Sequence, residues 1–287
     1  MRDMTRRDVM KLAALGGVGT LMAGQARAAA PASLGVQLYT VRDLMGKDPE
    51  GTLKAIADIG YKEVEVLRGS AAKVAPMAKA LGLNPISMHI GVTVPDAADA
   101  ATLIKDAQSQ GVKYIVLPYL MANQRGGGAA FYEELAAKLN TFGGDLKKAG
   151  LVLCYHNHGF EFEPLPDGRR ALDVLMSATD PDLVKLELDV FWVSVTGNDP
   201  VTLIKQYARR LPLLHLKDKA KGFAPQTQEM KVPPTTFVPL GQGAVDFPAV
   251  LAAAKAAGVE HYFVEQDHAQ GSPLDALKAS YGYLRSI

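Results

Sequence analysis

The chain has 287 residues, with 31 basic and 30 acidic side chains and a formal net charge of +1. This balance excludes the concentrated positive charge that nucleic-acid binding requires. A single cysteine, Cys154, excludes an internal disulfide, and its position in an apolar run favours a packing role over a nucleophilic one.

The start of the chain has the pattern of an export signal. A twin-arginine pair, Arg6 and Arg7, precedes an apolar stretch, and Ala26-Arg-Ala28 has the form of a cleavage site. This order of basic, apolar and small residues is typical of the twin-arginine route, and the apolar stretch is short for a membrane span. The pattern favours a signal over the alternative, a frayed amphipathic N-terminal helix.

We therefore expect a twin-arginine signal peptide at 1–28 and a periplasmic mature domain at 29–287. The signal holds five basic and two acidic residues, so the mature domain carries a net charge of −2. That domain has the usual length of one eight-fold barrel and can bury a core without disulfides.

Short apolar runs alternate with longer Ala-, Lys- and Leu-rich runs through the mature domain. The apolar runs predict strands over 34–39, 63–67, 85–89, 114–118, 151–156, 184–188, 213–216 and 261–264. The intervening runs predict helices over 53–59, 71–81, 97–110, 171–178, 248–257 and 273–286, with one more that ends at 149 and one that follows Asp199-Pro200.

These eight strand–helix units predict one closed (β/α)8 TIM barrel, because strands buried on both faces consist of nearly continuous apolar residues. An open doubly wound sheet is the alternative. It would place a glycine-rich phosphate-binding pattern after the first strand, where this chain has Thr40-Val-Arg-Asp-Leu44. A loop of about twenty residues after the seventh strand lies where barrels carry active-site lids.

The last four predicted strands end in polar side chains, at the barrel edge where active sites form. Asp189, His215 and Glu265 each lie within one residue of the end of the sixth, seventh and eighth strands, respectively. Charges there are costly unless they are paired or bind a cation, and mixed carboxylate and imidazole ligands suit Mn²⁺, Zn²⁺, Co²⁺ or Mg²⁺. We expect these three residues to bind one divalent metal ion.

The fifth strand offers two candidates for a fourth ligand. His156 is its last residue, and Glu161 follows the turn at Gly159. We favour Glu161, because a further carboxylate offsets more of the cation's charge, and His156 remains the alternative. His156 and His158 lie two residues apart and face the same side, so both are candidates for moving protons or holding substrate.

Glu265 and Lys217 complete the predicted catalytic set. Lys217 follows His215 by two residues, and its ammonium can stabilise an enolate oxygen. Glu187, two residues before Asp189, is expected one layer deeper in the barrel, in an ion pair. Six further residues near strand ends are candidates for binding a sugar: Gln37, Tyr39, His89, Asn157, Trp192 and Asp267.

The chain carries five motifs near its strand ends, VQLYTVR at 36–42, YHNHGFEF at 155–162, LELD at 186–189, HLKD at 215–218 and VEQD at 264–267. Together they resemble the sugar phosphate isomerase/epimerase family of xylose isomerase-like barrels, a group that also includes endonuclease IV. The resemblance covers essentially the whole mature chain.

In that family a metal bound by Glu, Asp, His and Glu polarises a ketose, and two carboxylates act as acid and base across an enediolate. The resemblance implies ligand roles for Asp189, His215 and Glu265. His156 occupies the position of the family's first Glu, which is similar to the inosose dehydratases and to barrels that cleave 3-keto-glycosides. The strand ends offer too few histidines for the trinuclear site of endonuclease IV, so nuclease activity is not expected.

We expect a metal-dependent isomerase or epimerase that acts through an enediolate on a small-molecule sugar or keto-sugar. One alternative is a lyase or dehydratase acting on a 3-keto-glycoside or inosose-like substrate, and another is a non-catalytic sugar-binding barrel. Export disfavours phosphorylated substrates. We expect no nucleic-acid partner and no membrane span, and a homo-oligomer is compatible with the sequence.

Overall fold

The computed structural model describes residues 31–287. The predicted export signal at 1–28, and the periplasmic location inferred from it, lie outside this range. Within the range, no helix is both long and apolar enough to cross a membrane.

Eight parallel strands close into a barrel whose strand order follows the chain. Gly35 on the first strand is in register with Glu63 on the second and with Phe263 on the eighth, which closes the ring. The barrel strands are β1 (Gly35–Gln37), β2 (Glu63–Leu67), β3 (Asn84–His89), β4 (Tyr114–Leu117), β5 (Val152–His156), β6 (Val184–Asp189), β7 (Leu213–Leu216) and β8 (His261–Val264). The predicted (β/α)8 barrel is confirmed.

Helices join the strands, and their boundaries follow local sequence signals. The helices are α1 (Arg42–Lys47), α2 (Pro49–Ile59), α3 (Arg68–Ala80), α4 (Ala97–Gln110), α5 (Gly128–Lys148), α6 (Ala171–Ala178), α7 (Val190–Val195), α8 (Pro200–Gln206), α9 (Phe247–Ala257) and α10 (Pro273–Ser286). In α4, for example, the Asp96 side chain caps the first turn, and Gly111 ends the helix in the left-handed conformation.

Two short elements differ from the sequence-based expectation. The first strand ends at Gln37, because the Gln37 side chain accepts the backbone N–H of Tyr39 at 3.0 Å and starts a 3-10 turn over Leu38–Val41. The unpredicted helix α7 begins directly after Asp189, whose carboxylate caps it. These elements place Tyr39 and Trp192 near the carboxyl ends of the strands.

The barrel interior has an apolar floor below a polar layer. The floor consists of Tyr114, Val116, Cys154, Leu213 and Phe263. His215 lies two residues beyond Leu213, so its side chain points to the same interior one layer higher. Its ring centre is 6.0 Å from that of Phe263. The floor therefore lies between this polar layer and the amino ends of the strands.

The long segment between β7 and α9 is folded onto the barrel. Two-residue strands, Asp218–Lys219 and Phe237–Val238, pair antiparallel. The Asp218 carboxylate accepts the backbone N–H groups of Gly241 and Gly243, each at 2.9 Å. A Cβ at Gly243 would lie 2.3 Å from Asp218 Oδ1, so this turn requires glycine. The segment forms an ordered wall beside the mouth of the barrel.

Candidate metal centre

The ends of β6, β7 and β8 bring three predicted metal ligands together. One ligand atom each from Asp189, His215 and Glu265 lies within 4.8 Å of the other two, and all three residues are buried. Asp189 is in register with His215, and His215 Nδ1 lies 2.9 Å from Glu265 Oε2. We call these three residues the upper cluster.

Helix α7 holds Asp189 in a fixed orientation. Its Oδ1 accepts the backbone N–H groups of Phe191 and Trp192 at 2.8 and 3.2 Å. Its Oδ2 is buried and makes no hydrogen bond with the described residues, although the Lys217 ammonium lies 2.9 Å away. One oxygen of Asp189 therefore fixes the side chain, and the other oxygen is directed towards the other two residues of the upper cluster.

Lys217 supplies positive charge among the carboxylates. Its Nζ lies 2.8 Å from Glu265 Oε2 and 3.1 Å from Asp267 Oδ1. Burial opposes this charge, but Asp189, Asp267 and Glu265 raise the pKa of Lys217 well above its ordinary value. Burial raises the pKa of Asp267 to about 7, against the lowering effect of Lys217. The ammonium is therefore a fixed cation beside the upper cluster.

A second group, the deep cluster, lies beneath the first and shares His215 with it. The other members are His89, His156 and Glu187, and one ligand atom from each lies within 4.8 Å of the others. Glu187 Oε2 is 3.0 Å from His89 Nε2 and 3.1 Å from His156 Nδ1. Glu65 on β2 joins them, 2.7 Å from His215 Nε2. The ion pair expected for Glu187 is thus present, with histidines as partners.

Two histidines link the clusters through their two ring nitrogens. His215 Nε2 contacts Glu65 in the deep layer, while Nδ1 contacts Glu265 in the upper one. His156 Nδ1 contacts Glu187 below, while Nε2 faces the upper cluster. Metal-binding histidines commonly donate the second ring N–H to a carboxylate, which fixes the tautomer. Glu65 and Glu187 are placed for this role.

Charges in the deep cluster balance one another. Burial and the Glu65 charge oppose ionisation of Glu187, yet the histidines hold its pKa at about 2. Burial disfavours the charged form of His89, yet Glu65 and Glu187 raise its pKa to about 9. The same carboxylates raise the pKa of His215 against burial. Burial and the His215 charge lower the pKa of His156, which stays neutral.

These residues fit a divalent cation on two grounds. Glu187 Oε1 is buried without a hydrogen-bond partner among the described residues, which is costly for a carboxylate oxygen unless a cation is close. Asp189 Oδ2 also makes no hydrogen bond with those residues, and its neighbouring charge is the Lys217 ammonium at 2.9 Å. Carboxylate oxygen and imidazole nitrogen together are also a donor set that divalent metals accept. Asp189, His215 and Glu265, with His156 beside them, would hold the ion.

Glu161, the favoured fourth ligand, is not brought to either cluster. Its Oε1 accepts the Tyr155 hydroxyl at 2.6 Å, and its Oε2 accepts the His158 backbone N–H at 2.8 Å. Burial raises its pKa to about 8. Both oxygens therefore shape the turn after β5. His156, the alternative, has Nε2 only 3.6 Å from Asp189 Oδ2, so the geometry favours His156 as the fourth ligand.

His158 lies beside the clusters with one unpartnered nitrogen. Among the described residues, nothing forms a hydrogen bond with its buried Nδ1. Its ring centre is 5.0 Å from that of His156 and 5.4 Å from that of Trp192. Burial and then the charge of Lys217 lower its pKa well below the ordinary value. The ring is therefore neutral, and its Nδ1 has no hydrogen-bond partner among the described residues.

A cavity of about 1050 Å³ opens above both clusters. The predicted residues that line it are Tyr39, His89, His156, His158, Trp192, Lys217, Glu265 and Asp267. Gln37 and Asn157 are fully buried outside this lining. Gln37 donates to Glu65 at 2.6 Å, and Asn157 accepts the Asp189 backbone N–H at 3.0 Å. These two residues position other site residues instead of contacting a ligand.

Sequence patterns did not single out Glu65, Tyr119 or Glu229. A signal for Glu65 was available, since β2 contains two glutamates although a barrel strand is covered on both faces. Tyr119 and Glu229 come from the segments after β4 and β7 and meet through a 2.9 Å hydrogen bond. No local pattern marks a contact between such distant parts of a chain.

The family model described as xylose isomerase-like TIM barrel matches residues 53–287. The chain belongs to this family. The resemblance inferred from the five motifs is thereby confirmed.

Curated relatives of this chain include enzymes that act on inososes. An inosose dehydratase from Lacticaseibacillus casei is 30% identical over 159 residues, 52% of this chain and 52% of that protein. The chain therefore spans about half the length of the curated relatives it matches.

The solved structures support the fold over most of the chain. A sugar phosphate isomerase/epimerase from Parabacteroides distasonis has a TM-score of 0.73 at 24% identity, covering 88% of this chain and 93% of its own. A 3-keto-D-glucoside 4-epimerase from E. coli has a TM-score of 0.65 at 15% identity, covering 89% and 99%.

Proposed function

We propose that the protein is a divalent-metal-dependent enzyme that removes a proton from the carbon next to the carbonyl group of a sugar or keto-sugar. The net reaction we favour is isomerisation or epimerisation through an enediolate. The observation that carries the proposal is the convergence of the upper cluster with one large cavity, which its member Glu265 lines together with Lys217 and His158.

Asp189, His215, Glu265 and His156 are the residues that would hold the metal, and Mn²⁺, Zn²⁺, Co²⁺ and Mg²⁺ remain candidates. When bound, a divalent ion supplies Lewis acidity towards the substrate's oxygens. The deep carboxylates Glu65 and Glu187 would orient the two imidazoles.

The protein's own side chains would carry out the proton transfer. His158 lines the cavity as a neutral imidazole, so its ring can take the proton from carbon. The Lys217 ammonium can donate a hydrogen bond to the oxygen that gains negative charge. Glu265 is the other group that can hold or return the proton. His156 could do so only without a bound metal, because Glu187 engages its Nδ1 and its Nε2 faces the metal site.

Elimination is a second candidate reaction, favoured by the likeness to an inosose dehydratase. Loss of a group from the carbon beside the deprotonated one begins with the same proton removal. His156 at the end of β5 also leaves one carboxylate fewer for an epimerisation that uses two. A lyase acting on a 3-keto-glycoside or an inosose-like substrate would use the same residues.

Metal analysis and hydrogen exchange test the proposal. We expect one divalent ion per chain and uptake of deuterium from D₂O into a 3-keto-glucoside. Product mass separates the two reactions, since isomers keep the substrate's mass and a lyase releases water or an aglycone. Purified protein with neither metal nor exchange would instead support the non-catalytic sugar-binding barrel.

We also propose a periplasmic location, supported by the twin-arginine pattern at the start of the chain. Replacing both Arg6 and Arg7 by lysine should retain the protein in the cytoplasm when cells are fractionated. An unchanged distribution would refute the export route.

A further inference from the structure

The cavity has two chemically different halves. The polar half consists of side chains at and after the ends of β5 to β8, and its polar members are His156, His158, Lys217, Glu265 and Asp267. Trp192, Val232 and Phe237 line this half as well and give it an apolar edge. The apolar half consists of Leu67 at the end of β2, Ile90 and Val92 after β3, Pro118 and Tyr119 after β4, and Met230.

The apolar half is also open and poor in free charge. A Cβ at Gly69 or Gly91, which line this side, would meet no atom within 4 Å. Two charged residues line it too: the Arg68 guanidinium donates to Asp99 at 2.8 Å, and Asp106 is exposed to solvent. An apolar ligand group can therefore enter without displacing side chains or burying an unpaired charge.

Hydrogen bonds to Glu229 hold the segment after β7 against this half of the cavity. Its Oε2 accepts the Tyr119 hydroxyl at 2.9 Å, and its Oε1 accepts the Gly159 backbone N–H at 3.3 Å. The next residue, Met230, is 99% exposed although it lines the cavity. A flexible thioether at the rim is suited to cover an apolar ligand of varied shape.

The cavity is larger than one sugar ring requires. Its volume of about 1050 Å³ is at the upper end of the roughly 300–1,000 Å³ of pockets that hold drug-sized ligands. A sugar ring needs hydrogen-bond partners for its hydroxyl groups, and the polar half supplies them. A second sugar in the apolar half would leave hydroxyl groups unpaired.

We propose that the substrate is a glycoside with an aromatic aglycone. The sugar ring binds the polar half, and the aglycone binds the apolar half, beside Leu67, Ile90 and the Tyr119 ring. The assignment of the sugar ring rests on the proposed function. The aromatic preference rests on the composition of the apolar half alone.

Binding of two unoxidised probes tests the aromatic preference without turnover, since neither probe has a keto group. Phenyl β-D-glucopyranoside and methyl β-D-glucopyranoside differ only in the aglycone, and cellobiose supplies a sugar in its place. Affinities are measured on the purified full chain by calorimetry. Trp192, the one tryptophan of the sequence, lines the cavity and gives a second readout by fluorescence.

We expect the phenyl glucoside to bind about tenfold more tightly than the methyl glucoside or cellobiose, because burying an aromatic ring is favourable. The double variant Gly91→Glu with Met230→Glu places two charges in the apolar half and should reduce the ratio to about one. Its matched control is Gly46→Glu with Met121→Glu, at exposed positions outside the lining, which should keep the ratio.

Equal binding of both glucosides by the unchanged protein, or no binding of either, overturns the proposal. Cellobiose that binds as tightly as the phenyl glucoside overturns it too, as does a ratio that survives in a folded Gly91/Met230 variant. Failure of deuterium exchange with the aromatic preference intact would retract the reaction and leave this subsite standing.

Discussion

The two halves of the barrel mouth differ although the same fold builds both. The ends of β5 to β8 present histidines, carboxylates and a lysine, whereas the positions after β2, β3 and β4 present mainly apolar side chains. His89 on β3 and Glu65 on β2 reach across, through contacts with Glu187 and His215 respectively. In a barrel, chemistry and substrate recognition can thus be divided between different strand ends.

Because of this division, a substitution in one half should leave the function of the other half intact and measurable. Changes in the polar half should alter metal binding and turnover. Changes in the apolar half should alter the preference for the aglycone.

The largest effect is expected from Asp189→Asn in the polar half. The amide oxygen can still cap α7, but the charge that faces the upper cluster is lost. Bound metal should be lost, and exchange should fall by more than about 100-fold, since even changes behind the ligands cost 10–100-fold. Mass spectrometry of the metal content and the deuterium-exchange rate measure both.

Asp199→Asn is the matched control, because Asp199 caps α8 in the same way outside the cavity lining. Metal loss in this control, or full metal content in Asp189→Asn, would contradict the assignment of the centre.

His158→Gln should separate proton transfer from metal binding. Removing the ring should lower kcat by about 10²–10⁴-fold, the usual contribution of a positioned base, while the metal content stays unchanged. His268→Gln is the control, since His268 lines the same cavity outside both clusters. Similar losses of kcat in the two variants would remove His158 from its proposed role.

Glu65→Gln should weaken the metal site from beneath. Its carboxylate contacts His215 Nε2, so its loss should lower metal affinity by about 10–100-fold. Competition with a chelator measures this, and thermal unfolding shows whether the variant is folded. Glu63→Gln, at the other end of the same strand and paired with His261, should keep its affinity. Equal affinities would show that Glu65 does not orient the histidine.

The smallest effect is expected outside both halves, at Asp173 on α6. Arg170 and the Tyr207 hydroxyl lower its pKa against burial. A lowered folded-state pKa stabilises the protein above the unfolded value of about 3.9, and this stability is lost as pH falls below it.

Asp173→Asn should therefore cost about 0.5–1 kcal/mol at pH 7, given its partial exposure, and progressively less below about pH 4. Urea unfolding at several pH values measures the difference. Asp182→Asn, at an exposed position on the same surface layer, should change little. Any change of metal content in Asp173→Asn would mean that the helices around the barrel affect metal binding at the ends of the strands.

Much of the fold was predictable, because barrel strands are short apolar runs between amphipathic helices. The polar strand ends were equally visible, since Asp189, His215 and Glu265 interrupt apolar runs. The choice between Glu161 and His156 as the proposed fourth ligand was not predictable, because it depends on donors that only the folded turn provides. The Tyr155 hydroxyl and the His158 N–H engage Glu161 and leave His156 nearer the upper cluster.

The apolar half was hidden for a different reason. Leu67, Ile90 and Val92 look like core residues in the sequence, and only the barrel geometry shows that they line an opening. The hydrogen bond between Tyr119 and Glu229 joins two segments that lie 110 residues apart in the sequence. No local sequence pattern at either residue predicts this contact.

The apolar floor of the barrel limits how substrate enters and how product leaves. Because Tyr114, Leu213 and Phe263 fill the interior below the clusters, the far end offers no exit. Whatever enters by the mouth must leave by the mouth. If the reaction is elimination, the cleaved aglycone and the sugar product both leave through this one opening, so accumulated sugar should compete with incoming glycoside for the vacant enzyme.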